Sequence, residues 1–441
     1  MIKRRDDASY YVSHADPTQI GPTGKLGAQP WMGAPATRAV IAALRSGGAD
    51  VRFVGGCIRD AFSNRPVRDV DIGTPDPPER VIELLEEAGL RALPTGIDHG
   101  TVSALVDNER FEITTLRLDL ATDGRRAKVA FTNDWVADAA RRDFTINAMS
   151  CTPDGDVYDP FGGIADLGNG IVQFVGNAQE RIGEDYLRLL RFFRFYAEFG
   201  RPPVDRDALA ACRQLAPELS RLSGERVRDE FLRILAAQNA ADIILLMQGE
   251  RVLEHIIPTE LNIGRLRMML WLDTTAIRLK TVKPDPLRRL AALIETDADG
   301  ATELAGRLKL SRRQAERLIS MSSSGFKVST KTEDATLRRA IYEAGGHAVR
   351  DWALLAWAGE MAVEPRREPD VTQGWVSVLE TTQSWKPPTL PVSGADVTAL
   401  GVDEGPEVGN LLRAVESWWI DEDFTPDREA CLAELAAHSA N

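Results

Sequence analysis

The feature that most constrains the fold of this chain is the segment VRFVGGCIRDAFSNRPVRDVDIGT, residues 51–74. The β-favouring segment VRFV at 51–54 predicts a strand that leads into Gly55 and Gly56, and a helix is expected from Cys57. Glycine allows close approach to the backbone, and the first turn of a helix presents N–H groups. This turn is therefore suited to binding a phosphate.

Two carboxylates follow this turn on a second predicted strand. Residues two apart on a strand point the same way, so Asp69 and Asp71 should share one face. Two oxygen ligands beside a phosphate-binding turn suit Mg²⁺. A Gly-Gly pair alone is usually a turn and an isolated Asp-x-Asp is usually a solvated edge, but their order and spacing here form a specific signal.

The hydrophobic pattern divides the chain into an α/β part and a helical part. Residues 1–27 show no periodicity and predict a flexible tail. From residue 35 strands and helices are mixed, with a helix predicted over 137–149, and from residue 181 the periodicity is mostly helical. A chain of 441 residues exceeds one compact core. The expected fold class is therefore α+β, in two to four domains.

The net charge of −13 is unevenly distributed along the chain. Residues 360–441 hold 16 Asp/Glu against 5 Lys/Arg, whereas residues 261–331 hold 14 Lys/Arg against 7 Asp/Glu. The basic middle could bind phosphates of a nucleic acid, although many solvated helical faces have a similar composition.

Cysteine spacing and hydropathy bear on the compartment. The cysteines are far apart, and no apolar run is long enough to cross a bilayer. We therefore expect reduced thiols in a cytoplasmic protein that binds no membrane. The cysteines are Cys57, Cys151, Cys212 and Cys431.

Five further motifs follow the first segment in a fixed order. They are FEITTLR at 111–117, RRDFTINA at 141–148, DPFGGIADLGNG at 159–170, GEDYLRLLR at 183–191 and SGER at 223–226. Together with residues 51–74 they resemble the class II CCA-adding enzyme and bacterial poly(A) polymerase family, within the DNA polymerase β-like nucleotidyltransferases. The resemblance covers roughly residues 35–235, with a weaker match in 391–412.

The resemblance implies a nucleotidyltransferase head at 28–178, a helical neck at 179–235, a helical body at 236–345 and an acidic helical tail at 346–441. It also implies catalysis with two Mg²⁺ ions that activate a 3′-hydroxyl and stabilise the leaving pyrophosphate. Asp69 and Asp71 are the expected ligands. Glu112 is either a third catalytic acid or a structural partner of Arg117.

The resemblance also implies a nucleotide-binding set, for which simpler structural roles stay open. Arg142 and Asp143 would hold the ribose and phosphates, or form an ion pair on a helix surface. Arg59 and Arg68 would reach phosphates, or only balance Asp60 and Asp69. The nucleotide-binding set is Gly55, Gly56, Arg59, Arg68, Arg142, Asp143, Asn147, Glu184, Asp185, Arg188, Arg191 and Arg194.

A helix predicted over 184–196 carries the expected determinants of base choice. Asp185, Arg188 and Arg191 recur every three residues and would share a face, with Glu184 four residues before Arg188. Without the resemblance, this pattern is an exposed salt-bridged helix. The resemblance implies that Asp185 and Arg188 recognise the base. Cytosine and adenine both present an amine beside a ring acceptor, which complements an acceptor-only Asp and a donor-only Arg.

The helical regions are implied to bind the acceptor and TΨC arms of tRNA, and no obligate protein partner is inferred. Arg312 and Arg313 stand at a predicted helix start and are candidate RNA contacts. The motif residues in 391–412 either contact phosphates or make tight turns.

The expected activity is addition or repair of the tRNA CCA end from CTP and ATP. A poly(A) polymerase, a CC-only or A-only enzyme, and an inactive RNA-binding protein remain alternatives. In this family, a flexible loop at the position of residues 118–134 accompanies addition of the final A, so its length favours complete CCA addition. It lacks the Tyr-rich, Pro-bearing composition that is common in the family.

Overall fold

The computed structural model describes residues 21–122, 127–276, 282–364 and 368–439. The strands are β1 Gly24–Lys25, β2 Arg52–Val54, β3 Val70–Thr74, β4 Arg91–Gly96, β5 Thr101–Val106, β6 Glu109–Thr115, β7 Arg117–Thr122, β8 Ala127–Phe131, β9 Ser150–Cys151, β10 Asp156–Tyr158, β11 Glu260–Leu261 and β12 Ile294–Glu295.

The first eleven helices are α1 Pro30–Gly33, α2 Pro35–Arg45, α3 Gly56–Phe62, α4 Pro78–Glu87, α5 Trp135–Ala140, α6 Gly163–Asn169, α7 Ala178–Glu184, α8 Leu187–Phe199, α9 Arg206–Leu215, α10 Gly224–Ala236 and α11 Ala240–Gly249. The next are α12 Ile263–Trp271, α13 Pro286–Leu293, α14 Ala298–Arg307, α15 Arg312–Ser322, α16 Asp334–Ala344, α17 Gly346–Val363, α18 Pro369–Ser384, α19 Gly394–Ala399, α20 Pro406–Asp421 and α21 Arg428–Ser439.

A mixed sheet organises the first part of the chain. The described strands form an eight-stranded sheet in the order β1-β10-β9-β2-β3-β6-β5-β4. Only the β3–β6 pair in this sheet is parallel, and its register places Asp71 beside Glu112. The β5–β6 turn uses Asp107 and Asn108, both with positive φ, as expected for a tight hairpin.

The head core forms because apolar residues of α2 and α4 pack on this sheet. Val40 and Leu44 from α2 join Phe53, Ile72 and Phe111 from the strands in one buried cluster. This cluster supports β2 and β3 from behind, so that the ends of both strands are held in fixed positions. The predicted α+β class is confirmed.

Two segments differ from their sequence-based predictions. Most of the expected tail, 1–27, lies outside the described residues, but Gly24–Lys25 within it forms β1 and pairs with β10. The expected loop at 118–134 is largely a two-stranded hairpin, β7–β8, of which residues 123–126 are not described. Neither segment has a strong apolar alternation, so its sequence does not predict a strand. Both form strands because their backbones pair with a neighbouring strand.

The single helix predicted over 137–149 is wrong. The structure has α5 ending at Ala140, a loop, and a 3-10 turn at Thr145–Asn147. Phe144 forms an isolated bridge with Phe174 and is completely buried. Because Phe144 is packed in this way, the chain leaves the helical conformation between α5 and the 3-10 turn, despite its local helical preference.

The chain divides into two compact units, Met1–Ile257 and Pro258–Asn441. The head and neck lie in the first unit, together with α11, which packs on α8 and α10. The expected neck–body boundary at 235/236 thus falls inside this unit. None of the helices in the described part of the chain is both long and apolar enough to cross a membrane.

The second unit is helical apart from the short pair β11–β12. Helix α17 packs on α12, α13 and α15, so the expected body–tail boundary at 345/346 separates helices that are in contact. Within this unit Arg288 and Arg289 are buried, where they pair with Asp351 and Asp273. These two members of the basic middle are therefore structural and are not part of a phosphate-binding surface.

The motif near residue 391 makes a helix start. Ser393 caps α19 in a reciprocal capping box with Asp396, whose carboxylate also pairs with Arg428 at 2.5 Å. At Ser393 the motif thus serves to cap a helix, which is a structural role, while the phosphate contact stays a prediction.

Candidate active site

A solvent-filled cleft of about 590 Å³ lies entirely within the first unit. Predicted site residues dominate its wall. They are Gly55, Gly56, Arg59, Asp69, Asp71, Arg142, Asp143, Asn147, Asp185, Arg188, Arg191 and Arg194. The remaining lining residues, which the sequence did not indicate as site residues, are Arg141, Leu187, Phe195 and Arg226.

The glycine turn forms one end of the cleft. Gly55 has φ +71° and ψ −120°, a conformation that favours glycine, and it precedes the first residue of α3, Gly56. A Cβ atom at Gly55 would lie 2.7 Å from Nη1 of Arg142. The missing side chain therefore allows both the turn and the approach of this guanidinium group.

Asp69 and Asp71 line the same cleft, as strand alternation predicts. Asp69 immediately precedes β3, and Asp71 is its second residue. Burial and the nearby charge of Glu112 raise the pKa of Asp71 to about 6, although Arg142 opposes the shift. A bound cation would offset the negative charge of the Asp71 and Glu112 carboxylates and would favour the ionised form of Asp71.

The composition of the site suits Mg²⁺. Within the described residues, no group of three or more His, Cys, Asp or Glu side chains is arranged to hold a metal ion. Mg²⁺ commonly binds through one or two carboxylates, with water and substrate phosphates completing its ligands. Asp69 and Asp71 beside the glycine turn fit that pattern.

Glu112 lies next to Asp71 in the sheet register but outside the residues that line the cleft. Its side chain is 52% exposed and pairs with Arg110 at 3.1 Å. Arg117 donates from its guanidinium group to the backbone carbonyl of His99. The partner of Glu112 is thus Arg110, which lies two residues away on the same strand, and a catalytic role stays a prediction.

Asp143 is the most constrained carboxylate of the cleft. Its Oδ1 accepts hydrogen bonds from the Phe144 backbone N–H and from Nδ2 of Asn147, both at 2.9 Å. Its Oδ2 accepts from Nε of Arg191 at 2.7 Å. Burial alone would raise the pKa of Asp143, but Arg191 and these bonds outweigh it and lower the pKa.

This environment rules out a helix-surface ion pair for Asp143, since the residue is 8% exposed and lies outside the helices. Arg142 is anchored separately, with its Nη2 3.3 Å from Oδ2 of the buried Asp138. Sequence reasoning assigned no role to Asp138, although its pairs with Arg141 and Arg142 lie three and four residues along the chain; only its burial and the hydrogen bond from the Arg117 N–H depend on distant segments.

Arg59 balances Asp60, which is one of the two roles that the sequence left open, while its contact with a phosphate stays a prediction. It pairs with Asp60 at 2.8 Å, and its Nη1 donates to Oδ1 of Asn147 at 2.6 Å while the side chain lines the cleft. Arg68 is exposed. Of the predicted catalytic, metal- and nucleotide-binding residues that the structure describes, Arg68, Glu112 and Glu184 lie outside the cleft lining.

The continuous helix predicted over 184–196 is wrong. Helix α7 ends at Glu184, Asp185 is extended with φ −152° and ψ 107°, and α8 begins at Leu187. Oδ1 of Asp185 accepts a hydrogen bond from the Leu187 backbone N–H at 3.1 Å, which satisfies a donor at the start of α8. Despite the break, Asp185 and Arg188 both line the cleft.

Each of these two residues has its own ionic partner. Nη1 of Arg188 contacts Oε2 of Glu184 at 2.5 Å, the four-residue pairing expected from the sequence. Oδ2 of Asp185 instead accepts from Nη2 of Arg226 on α10 at 2.7 Å. The buried Glu230, also on α10, lies 2.6 Å from Nε of Arg194 and 3.8 Å from Arg191.

Comparison with known proteins decides the family. The poly A polymerase head domain matches residues 51–173, and the probable RNA- and SrmB-binding site of polymerase A matches residues 203–260. The mitochondrial CCA tRNA nucleotidyltransferase 1 of Mus musculus is 34% identical over 399 residues, which cover 88% of this chain and 86% of that protein. The chain belongs to the CCA tRNA nucleotidyltransferase family. It is a nucleotidyltransferase.

Solved structures agree with the fold of this nucleotidyltransferase. The Bacillus stearothermophilus CCA-adding enzyme in complex with CTP has a TM-score of 0.71 and 24% identity, and the match covers 92% of this chain and 98% of that one. The Thermotoga maritima CCA-adding enzyme complexed with tRNA has a TM-score of 0.59 and 21% identity, and covers 91% and 94% of the two chains.

Two of the four residues of the nucleotidyltransferase site that sequence reasoning missed, Arg226 and Phe195, were missed for different reasons. Arg226 lies within the motif SGER at 223–226, but nothing in the local sequence links it to Asp185. Phe195 is apolar, and its residue type alone indicates core packing, whereas it lines the cleft and its ring face lies 4.3 Å from the guanidinium group of Arg194. The contact between Arg226 and Asp185 is visible only once α10 is packed on α8.

Proposed function

We propose that this nucleotidyltransferase builds or repairs the CCA end of tRNA, using CTP and ATP and releasing pyrophosphate. The observation that carries the proposal is that Asp69 and Asp71 line the same cleft as Asp185 and Arg188. Two carboxylates suited to binding metal ions thus share one nucleotide-sized cavity with side chains suited to a Watson–Crick edge. The names of the relatives support CCA as the product.

In this proposal Asp69 and Asp71 hold two Mg²⁺ ions. Bound Mg²⁺ would lower the pKa of the RNA 3′-hydroxyl and neutralise charge on the leaving pyrophosphate. The glycine turn and Arg59 would hold the phosphates, while Arg142 and Asp143 would orient the ribose. The network around Asp143 fixes these groups before the substrate binds, which lowers the cost of ordering the site.

Base choice would rest on Asp185 and Arg188. An ionised carboxylate only accepts hydrogen bonds, and a guanidinium group only donates them. Cytosine and adenine offer the matching donor and acceptor, whereas uracil and guanine would leave buried groups unpaired. One cleft serving both nucleotides is the economical interpretation, because the described residues contain one such arrangement.

The RNA partner is proposed to be tRNA, contacted along its acceptor and TΨC arms. Ser311 begins α15 with a capping box to Gln314, as the predicted helix start requires. Arg312 is 92% exposed beside Glu316, and Arg313 is also exposed. Both guanidinium groups are accessible to a phosphate backbone. The Thermotoga maritima relative was solved with tRNA, which supports the same partner.

A cytoplasmic location is part of the proposal. All four cysteines are buried free thiols, which agrees with a reducing compartment. The Mus musculus relative is named as mitochondrial, and the mitochondrial matrix would suit free thiols equally well.

A poly(A) polymerase is the second candidate, because the matching head-domain model carries that name. The test is to sequence the products after incubating tRNA transcripts that lack the CCA end with CTP, ATP and Mg²⁺. Products that end in CCA support the proposal, and A-tracts, CC ends or single A additions would select one of the alternatives. Loss of transfer but retained tRNA binding in Asp69→Ala and Asp71→Ala would exclude an inactive RNA-binding protein.

A further inference from the structure

We propose that Arg226 positions the Asp185 carboxylate for base choice and is therefore a determinant of nucleotide selectivity outside the 183–191 motif. The inference rests on the proposed function, because it takes Asp185 as the residue that meets the base. Arg226 acts on the base through Asp185 and is therefore a positioning residue.

The need for a positioning residue comes from the backbone. Asp185 is neither within α7 nor within α8, since it lies in the extended break between them. Its backbone is therefore held on the α8 side only, where its carbonyl accepts a hydrogen bond from the Arg188 N–H at 2.9 Å. Its side chain is fixed by two contacts, the Leu187 N–H at 3.1 Å on Oδ1 and Nη2 of Arg226 at 2.7 Å on Oδ2.

These contacts leave the carboxylate able to bind a base. An ionised carboxylate has about four acceptor positions, and the two contacts use one on each oxygen. The cleft is lined by both Asp185 and Arg226, and their side chains are 26% and 29% exposed. A base amine can thus approach Asp185 while Arg226 continues to hold it.

The second base-recognition residue is restrained in a different way. Arg188 is held by Glu184 and by donation to the backbone carbonyls of Arg181 at 3.0 Å and Arg141 at 3.2 Å. Loss of Arg226 should therefore free Asp185 and leave Arg188 in place. This separation allows the role of Arg226 to be tested independently.

The experiment measures kcat/KM for single additions of CTP and UTP to tRNA, using Arg226→Gln, Arg226→Lys and the matched control Arg228→Gln. Arg228 lies on the same helix and pairs with Asp229 at 2.8 Å. The CTP preference should fall about tenfold or more in Arg226→Gln, because a charge-assisted hydrogen bond is lost. It should recover in part in Arg226→Lys and stay unchanged in the control.

Arg226→Gln should have no further effect on the ratio in an Asp185→Ala background, because the residue it positions is absent. The inference would be overturned if Arg226→Gln kept the wild-type CTP-to-UTP ratio, whether or not its rate was slower. It would also be overturned if Arg226→Gln lowered this ratio equally in the wild-type and Asp185→Ala backgrounds. Failure of the wild-type protein to prefer CTP over UTP would instead refute the proposed function.

Discussion

The Asp143–Arg191 contact is predicted to be the main electrostatic link between the head and α8 within the first unit. In Asp143→Asn the amide oxygen can still accept from the Phe144 N–H and from Asn147. The amide nitrogen, however, would face Nε and Nη2 of Arg191, which lie 2.7 and 2.6 Å from Oδ2. One hydrogen bond and one close ionic contact are thus replaced by opposed donors.

The expected loss of local stability is about 3 kcal/mol. Removing one partner of a buried ion pair costs roughly 3–5 kcal/mol. The lower end applies because the Arg191 side chain is 29% exposed and keeps Glu230 at 3.8 Å. A loss of this size corresponds to a change of about a hundredfold in the local opening equilibrium.

Hydrogen exchange measures this effect locally, which suits a chain with two compact units. The Phe144 and Asn147 amides should exchange about a hundredfold faster in Asp143→Asn. The matched control is Asp229→Asn, whose ion pair with Arg228 is as short, at 2.8 Å, but has a carboxylate that is 55% exposed. It should change exchange in α10 by less than about fivefold. Exchange at Phe144 within threefold of wild type would refute the reasoning.

The same contact predicts a pH dependence with a definite sign. The folded pKa of Asp143 is lowered, so the contribution is present above the unfolded pKa of about 3.9 and is lost as pH falls through the folded pKa. The stability difference between wild type and Asp143→Asn should therefore be constant near neutral pH and shrink under acid.

Four further predictions concern the site and the RNA surface. Because the folded pKa of Asp71 is raised to about 6, calorimetry should show Mg²⁺ affinity falling about tenfold from pH 7 to pH 5. Glu112→Gln removes a like charge and should move this fall to lower pH. Asp185→Ala should lose discrimination against UTP and GTP in single-addition assays, with CTP weakened by roughly 1–3 kcal/mol. Charge reversal at Arg312 and Arg313 should weaken tRNA binding and reduce its salt dependence, and unchanged affinity across salt concentrations would reject this surface.

Local signals in the sequence were sufficient for the features that depend on neighbouring residues. The strand, Gly55-Gly56 turn and helix follow from backbone preferences, and the helix start at Ser311 follows from its side-chain chemistry. The shared cleft of Asp69 and Asp71 follows from their spacing along β3. Each of these depends on contacts within a few residues along the chain, which a single sequence displays directly.

Contacts between distant segments decided the remaining features. Asp185 and Arg226 are 41 residues apart along the chain. The break at Asp185 and its pairing with Arg226 therefore require α8 and α10 to pack together. The burial of Arg288 and Arg289 likewise depends on Asp351 and Asp273 rather than on their neighbours in sequence. A charged residue has the same local pattern whether it is exposed or paired in the interior. Only the packing of the helices supplies the partner that offsets the cost of burying it, and that packing determined which arginines are structural and which line the cleft.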